Sequence, residues 1–392
     1  MRVMVVIEQH FVEHNGSIYT DIAFSYLYWK EYLEVFDEVC PIARVSRVEK
    51  LPEGWIRADG EGVAFVKIQD YLGFWDFLKK SLRVFRDCFS AAGRDGCYLL
   101  RLGNISTFCW LRLLVNSTPY AFEVVGHAGE SVLQVKNVQY FGLAKLIAKV
   151  NHAIVKQQVK KACCVSYVSE YVRKLYPPKA MHRSWIFSGV KLSDEVVTGH
   201  RNSNSFNKDA LNIVSVGRLE PEKGHSILIE SLKTLAERGF VFQAKIIGPG
   251  KEYDRLASTV RELNLQNNVK IIGKIPWGTE LFKELDWADL FVIPSLTEGM
   301  PRALIEAMAR GLPAIGTNTG GIPELINKDY LVAPGDPASL SDKIEALARP
   351  ELLEKISRNN FEIALRYSPE RMRIQKREFW NCLKSSNLPV KI

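Results

Sequence analysis

Short apolar runs alternate with longer amphipathic stretches along this chain. In the second half, Ile213–Val216, Ala244–Ile247, Val269–Ile272, Leu290–Ile293 and Ala314–Gly316 are near-continuous apolar runs, the pattern of strands buried on both faces. A stretch with helical spacing separates each run from the next. The first half is less regular, but Val3–Ile7, Cys97–Leu102, Tyr120–Val125 and Cys164–Val168 read the same way. Strand–helix alternation in both halves predicts α/β domains built on parallel sheets. Between the halves, Gly199–Asp209 is polar and poor in apolar residues, as a linker would be. The expected division is residues 1–204, residues 205–368 and a closing helical segment, 369–392, whose helix runs from about Pro369 to Leu383.

Length and composition fit that division. The 392 residues are enough for two or three domains with their own cores, and 47% hydrophobic with 24% charged residues is globular. No uncharged run reaches the length of a membrane-spanning helix. The N-terminal apolar run is too short for a signal peptide and is broken by Glu8, so it reads as a first strand. Seven cysteines without a Cys-x-x-Cys pair predict reduced thiols and a cytoplasmic protein. The formal charge is +8, and the excess is concentrated early: residues 1–204 hold 26 Lys and Arg against 20 Asp and Glu. Such a surplus favours anionic partners such as phosphates or an acidic membrane surface. It lacks the interleaved aromatics of a nucleic-acid groove, so no nucleic acid is expected.

One early segment has two readings. Tyr71, Phe74, Trp75, Leu78, Leu82, Phe85 and Phe89 fall on one helical stripe, with Lys79, Lys80, Arg83 and Arg86 along a flank. The stripe can pack on a core with a solvated basic edge. It can also lie in a membrane interface, giving peripheral attachment.

Candidate chemistry collects in the turns after the second-half strands. Ser295–Gly311, SLTEGMPRALIEAMARG, runs from a strand end through a turn into a helix, with Glu298 before the helix and Glu306 within it. A helix N-terminus offers backbone N–H groups and positive dipole to a phosphate, and flanking carboxylates accept from hydroxyls. In GRLEPEKG, Arg218 and Lys223 flank a loop after Gly217, and two cations so placed can reach one diphosphate. Alone, they would read as solvated surface cations. Gly248-Pro249-Gly250 is a structural turn, not a G-x-G-x-x-G fingerprint, which argues against a dinucleotide dehydrogenase. Gly273-Lys274-Ile275-Pro276 can present extended backbone to a flat ring, and Gly320-Gly321-Ile322-Pro323-Glu324 follows the next strand. In a parallel sheet these turns share the carboxyl edge, where ligands bind.

Residues 211–335 closely resemble the nucleotide-sugar-binding domain of retaining glycosyltransferases of the GT-B fold, family 4. GRLEPEKG, GKIPW, PSLTEGMPRALIEAMARGLP and TGGIPELI carry the resemblance. It implies an α/β GT-B architecture, two Rossmann-like domains with parallel sheets facing across a cleft, the last helix crossing back to the N-terminal domain. It implies that Arg218 and Lys223 neutralise the donor diphosphate, that Glu306 binds the ribose hydroxyls and that Glu298 binds the transferred sugar. Backbone around Gly217, Gly299, Met300 and Pro301 meets the phosphate or sugar, although Pro301 lacks an N–H. Lys274 and Ile275 frame the base, and Gly16 in the first loop reaches the diphosphate. His127 is either a group near the reacting sugar or a hydrogen-bonded turn residue.

The implied reaction moves a sugar from a nucleotide-sugar to a glycan or polyprenyl-linked acceptor, as in capsule or O-antigen assembly. The departing phosphate takes the acceptor proton, so catalysis rests on charge stabilisation and orientation. With no Asp-x-Asp sequence, no metal or other cofactor is expected. The competing readings are another GT-B enzyme, such as a UDP-sugar epimerase or a phosphorylase, and a non-catalytic anion-binding protein.

Overall fold

A computed structural model describes residues 1–21, 23–126, 141–190, 192–207 and 209–387. The chain forms two compact units. One comprises Met1–Tyr167, Arg173–Ile186 and Ile374–Ile392, the other Val168–Val172 and Phe187–Arg373.

The first unit holds a nine-stranded sheet: β1 (Arg2–His14), β2 (Ser17–Thr20), β3 (Glu38–Arg47), β4 (Ile56–Arg57), β5 (Val66–Gln69), β6 (Cys97–Arg101), β7 (Tyr120–Val124), β8 (Cys164–Tyr167) and β9 (Ser184–Ile186). Val3 to Val6 on β1, Leu99 and Leu100 on β6 and Phe122 on β7 are fully buried. β1 runs parallel to β3 and β6, then continues past a register shift into an antiparallel hairpin with β2. The sequence pattern did not indicate β3, because Pro41 interrupts it. That proline pairs in register with Val5 nonetheless. Helices α1 (Tyr26–Leu33), α2 (Gly73–Ala91), α3 (Asn104–Val115) and α4 (Phe141–Lys161) belong to this unit, and α5 (Glu170–Leu175) follows β8.

The second unit is an all-parallel sheet of β10 (Leu211–Val216), β11 (Phe242–Ile247), β12 (Val269–Gly273), β13 (Leu290–Ile293), β14 (Ala314–Thr317) and β15 (Leu331–Val332), ordered β12-β11-β10-β13-β14-β15. Crossover helices α6 (His225–Glu237), α7 (Tyr253–Glu262), α8 (Thr279–Trp287) and α9 (Arg302–Ala309) connect the first five strands; α10 (Pro337–Leu347) and α11 (Pro350–Ala364) follow the sheet. Alternate strand residues feed two cores. Ile213, Ile246 and Val292 join Leu228 and Leu232 in one; Val214, Ile247 and Phe291 join Leu304 and Met308 in the other. Burial on both faces is why these strands read as continuous apolar runs.

The polar stretch Gly199–Asp209 lies inside the second unit rather than between the two. The Arg201 guanidinium donates to the carbonyls of Leu285 (2.9 Å) and Ala288, and its backbone N–H donates to Ser357 Oγ at 2.7 Å. Those bonds tie Arg201 into the second unit, which composition alone does not show. The last helix, α12 (Pro369–Ser386), packs from Ile374 onward in the first unit. There Trp380 lies 4.2 Å from the Tyr32 ring and Lys376 pairs with Glu31 at 2.8 Å.

Candidate functional site

The second unit's strand order reverses between β10 and β13, which are neighbours in the sheet but not in sequence. At such a switch point the two following loops diverge to opposite faces and leave a crevice outside the strand ends. The loop after β10 carries Gly217, Arg218 and Lys223, and the loop after β13 carries Glu298, Gly299, Met300 and Pro301. The topology itself therefore brings these two predicted groups together.

The loops are stitched at several points. The Leu296 N–H donates to the Glu222 carbonyl at 2.8 Å. Gly224, with φ of +66°, passes so close that a Cβ there would stand 2.1 Å from the Pro294 carbonyl oxygen. With the backbones locked, Lys223 Nζ donates to Glu298 Oε2 at 2.6 Å, and Ser295 Oγ donates to the same oxygen at 3.3 Å. Their side chains are only 19% and 10% exposed, so solvent screens the pair weakly. Arg218 differs: its guanidinium is largely exposed and pairs with Glu222 at 3.0 Å. Lys223 is a built part of the site, and Arg218 is a cation at its rim.

The Gly320-Gly321 turn supports the opposite side of Glu298. A Cβ on Gly320 would lie 1.7 Å from the Glu298 carbonyl oxygen, and one on Gly321 would lie 2.3 Å from that of Gly299. Glu324, at the end of that turn, accepts from the backbone N–H groups of Glu170 and Tyr171 at 2.9 and 2.6 Å. Its work is to hold residues 168–172 onto this unit. Gly248-Pro249-Gly250 is structural too, since the Pro249 carbonyl accepts from Leu219 N–H at 2.7 Å.

Pro301 caps α9, and Glu306 lies one turn further on, buried. Burial raises its pKa above the ordinary carboxylate value, against the lowering effects of Trp277 and Arg302. The Trp277 indole Nε1 donates to Glu306 Oε1 at 3.3 Å. Lys274 is exposed and Ile275 half-buried on the extended segment leading to Trp277.

The first-domain candidates are Gly16 and His127. Gly16, with φ of +80°, is the second residue of an Asn15-Gly16 hairpin turn joining β1 to β2. A two-residue turn of this kind requires positive φ at both positions, so the turn alone explains the glycine. His127 lies outside the described residues.

Sequence reasoning passed over two residues. Trp277 sits within GKIPW, but no spacing rule connects it to Glu306. His225, the first residue of α6, is buried with its Nδ1 3.4 Å from Ser215 Oγ. Desolvation pushes its pKa down to about 4, helped by the charge of Lys223 and opposed by backbone hydrogen bonding at Arg218 and Gly217. Its signal was the spacing His225, Leu228, Ile229, Leu232, which puts it on the helix's core face. Among the described residues, no group of three or more His, Cys, Asp or Glu side chains is placed to hold a metal ion.

The arrangement offers a cation and helix-terminal amides to phosphate, and carboxylates to hydroxyls. The chain is also similar to known glycosyltransferases. Residues 197–363 match the family glycosyl transferases group 1. The chain is 28% identical to protein CapJ of Staphylococcus aureus over 371 residues, covering 93% of this chain and 91% of CapJ. It is 37% identical to the putative colanic acid biosynthesis glycosyltransferase WcaL of Escherichia coli over 148 residues, 36% of each chain. HepE of Anabaena, solved with UDP and glucose, superposes with a TM-score of 0.64 at 16% identity, covering 97% of this chain and 99% of HepE. That likeness shows the fold, two Rossmann-like domains of the GT-B type.

Proposed function

We propose, for a chain that is a GT-B glycosyltransferase related to the group 1 family, that it moves a sugar with retention from a nucleoside-diphosphate sugar to a glycan or polyprenyl-linked acceptor. The pathway is surface polysaccharide assembly at the inner face of the cell membrane, by a cytoplasmic protein attached peripherally. The observation that carries this reading is the Lys223–Glu298 pair at the switch point, with Glu306 one turn into the helix that follows.

Each group has a task in that reaction. Lys223, with Arg218 at the rim, offsets the charge that grows on the leaving diphosphate. Glu298 accepts from the sugar hydroxyls and Glu306 from the ribose. Backbone at Gly217, Gly299 and Met300 borders the phosphate and sugar, and Lys274 with Ile275 borders the base. Gly16 and His127 are assigned to the diphosphate and the reacting sugar. The departing phosphate oxygen takes the acceptor proton, so no enzyme nucleophile is needed and no metal is required. The relatives support a polysaccharide role, since WcaL is a putative colanic acid glycosyltransferase; HepE's UDP favours a uridine donor.

The test is a thermal-shift screen with UDP, GDP, ADP, CDP and their sugars in chelator, because a ligand that binds only the native state raises Tm. One nucleotide should shift the wild type but not Glu306→Ala. Labelled sugar from that donor should then pass to a polyprenyl-linked acceptor. Donor turnover to an epimer, without transfer, would overturn the reading.

A further inference from the structure

We propose that the outward face of α2 is a lipid-docking surface that seats this chain on an anionic bilayer. The inference deepens the peripheral attachment named above and rests on that part of the reading.

The helix has two apolar faces, and the fold uses only one. Val84, Cys88 and Ala91 are buried in the first unit. Phe77 stacks on Phe108 of α3 with ring centroids 6.2 Å apart. About a third of a turn around the helix runs a second stripe that the fold leaves in solvent. Trp75 is 69% exposed and Leu82 84%, with Phe74, Leu78 and Phe85 exposed beside them. Leu72, just before the helix, is exposed as well, whereas Tyr71 is buried under it. The stripe read from the sequence is thus divided: Tyr71 is buried, Phe85 leans on Phe89 and on Phe108 of α3, and Phe74, Trp75, Leu78 and Leu82 are its solvent-facing part. Scattered exposed apolar residues are ordinary, but an aligned row of large ones marks an interaction surface.

The flank of the stripe selects the partner. Lys79, Arg83 and Arg86 lie along one side by helical spacing, all exposed. The acidic residues of α2 are turned away from the stripe and engaged. Asp76 accepts from Lys80 at 2.8 Å, and Asp87 accepts from the Gln69 backbone N–H at 3.2 Å. Aromatic and leucine side chains beside a cationic row match the boundary between acyl chains and anionic headgroups. The docking is interfacial: among the described residues no helix is long and apolar enough to cross a membrane.

Co-sedimentation of the full chain with phosphatidylcholine vesicles, with and without phosphatidylglycerol, tests this. The wild type should pellet with the anionic vesicles, and added salt should release it. Trp75 emission should shift to the blue on binding. The Leu78→Glu, Leu82→Glu double variant should bind at least about tenfold more weakly. Lys79→Glu, Arg83→Glu should lose the preference for anionic lipid. All these positions are exposed, so nucleotide thermal shifts should match the wild type and show that the variants fold. No vesicle binding by the wild type, or binding that neither variant weakens, would overturn the proposal. So would self-association of the wild type that Leu82→Glu abolishes without any vesicle binding, which would assign the face to a second copy. Vesicle binding with no nucleotide response would instead count against the transferase reading and leave the docking surface standing.

Discussion

Lys223 and Glu298 are 75 residues apart in sequence, yet Lys223 Nζ stands 2.6 Å from Glu298 Oε2 across the switch point of the sheet. The carboxylate fixes the ammonium beside the crevice, at the place the proposed reaction gives to the leaving phosphate. Lys223→Met should cut kcat by about 100-fold or more, with KM moving far less, because the charge it answers grows only in the transition state. Removing the cation also strands a largely buried carboxylate, at about 2 kcal/mol or more of stability. Initial rates and urea melts measure both. Wild-type turnover in Lys223→Met would refute the catalytic assignment. Pairing it with Glu298→Gln should recover part of the stability and none of the rate.

Glu306 carries a pH signature. Burial penalises its ionised form, so the folded chain holds that proton more tightly than the unfolded chain does. The penalty is absent below the unfolded value and complete above the raised folded one. Glu306→Gln should therefore gain stability over the wild type with rising pH, starting from no difference below about pH 4. Donor affinity should behave oppositely, falling on acidification as the carboxylate that accepts from the ribose is protonated. Trp277→Phe removes a bond that favours the ionised form. It should move that donor-binding profile to higher pH and weaken binding about fivefold at neutral pH. Isothermal titration across pH would show both effects. A flat profile in the wild type would remove Glu306 from the donor site.

The parallel strands of the second unit were legible because burial on both faces leaves uninterrupted apolar runs. β13 is found at Leu290–Ile293, as its run predicts. The first unit's β3 was not, since Pro41 breaks the pattern while register with β1 and β5 overrides it. At the site, motif spacing led to Lys223, Glu298 and Glu306. It could not reveal that Lys223 and Glu298 touch, because that depends on the β10–β13 adjacency of the sheet. Nor could it rank Arg218 below Lys223, since exposure follows from loop packing. The outward stripe of α2 shows a further limit: periodicity finds an apolar face but not whether the core or the solvent receives it.

His225 makes acid sensitivity a property of the site loop. Its folded pKa of about 4 lies below the ordinary histidine value of 6.5. Above 6.5 neither state binds the proton, and its effect on stability is nil. Between 6.5 and about 4 the unfolded chain takes up a proton that the folded chain refuses, so stability falls as pH falls through that window. The loss is on the order of 3 kcal/mol at its limit. His225→Gln should flatten urea-melt stability across the window while leaving other carboxylate-driven acid loss in place. A variant curve parallel to that of the wild type would show that the imidazole does not titrate between the two states.

Gly320 tests whether the backbone behind Glu298 sets its position. Two effects act on a substitution there. One is the left-handed φ of +56°, which costs a non-glycine residue about 1 kcal/mol. The other is the Cβ that would stand 1.7 Å from the Glu298 carbonyl oxygen, and this demands a backbone shift. Gly335 separates them, because its φ is +80° but the nearest atom to a Cβ is a flexible Leu296 methyl at 3.9 Å. Gly335→Ala should lose about 1 kcal/mol and keep full turnover. Gly320→Ala should lose at least about 2 kcal/mol more and drop kcat at least tenfold, because moving the Glu298 backbone breaks its contact with Lys223. Equal effects from the two alanines would mean that φ alone matters and that the carboxylate is positioned by its own loop.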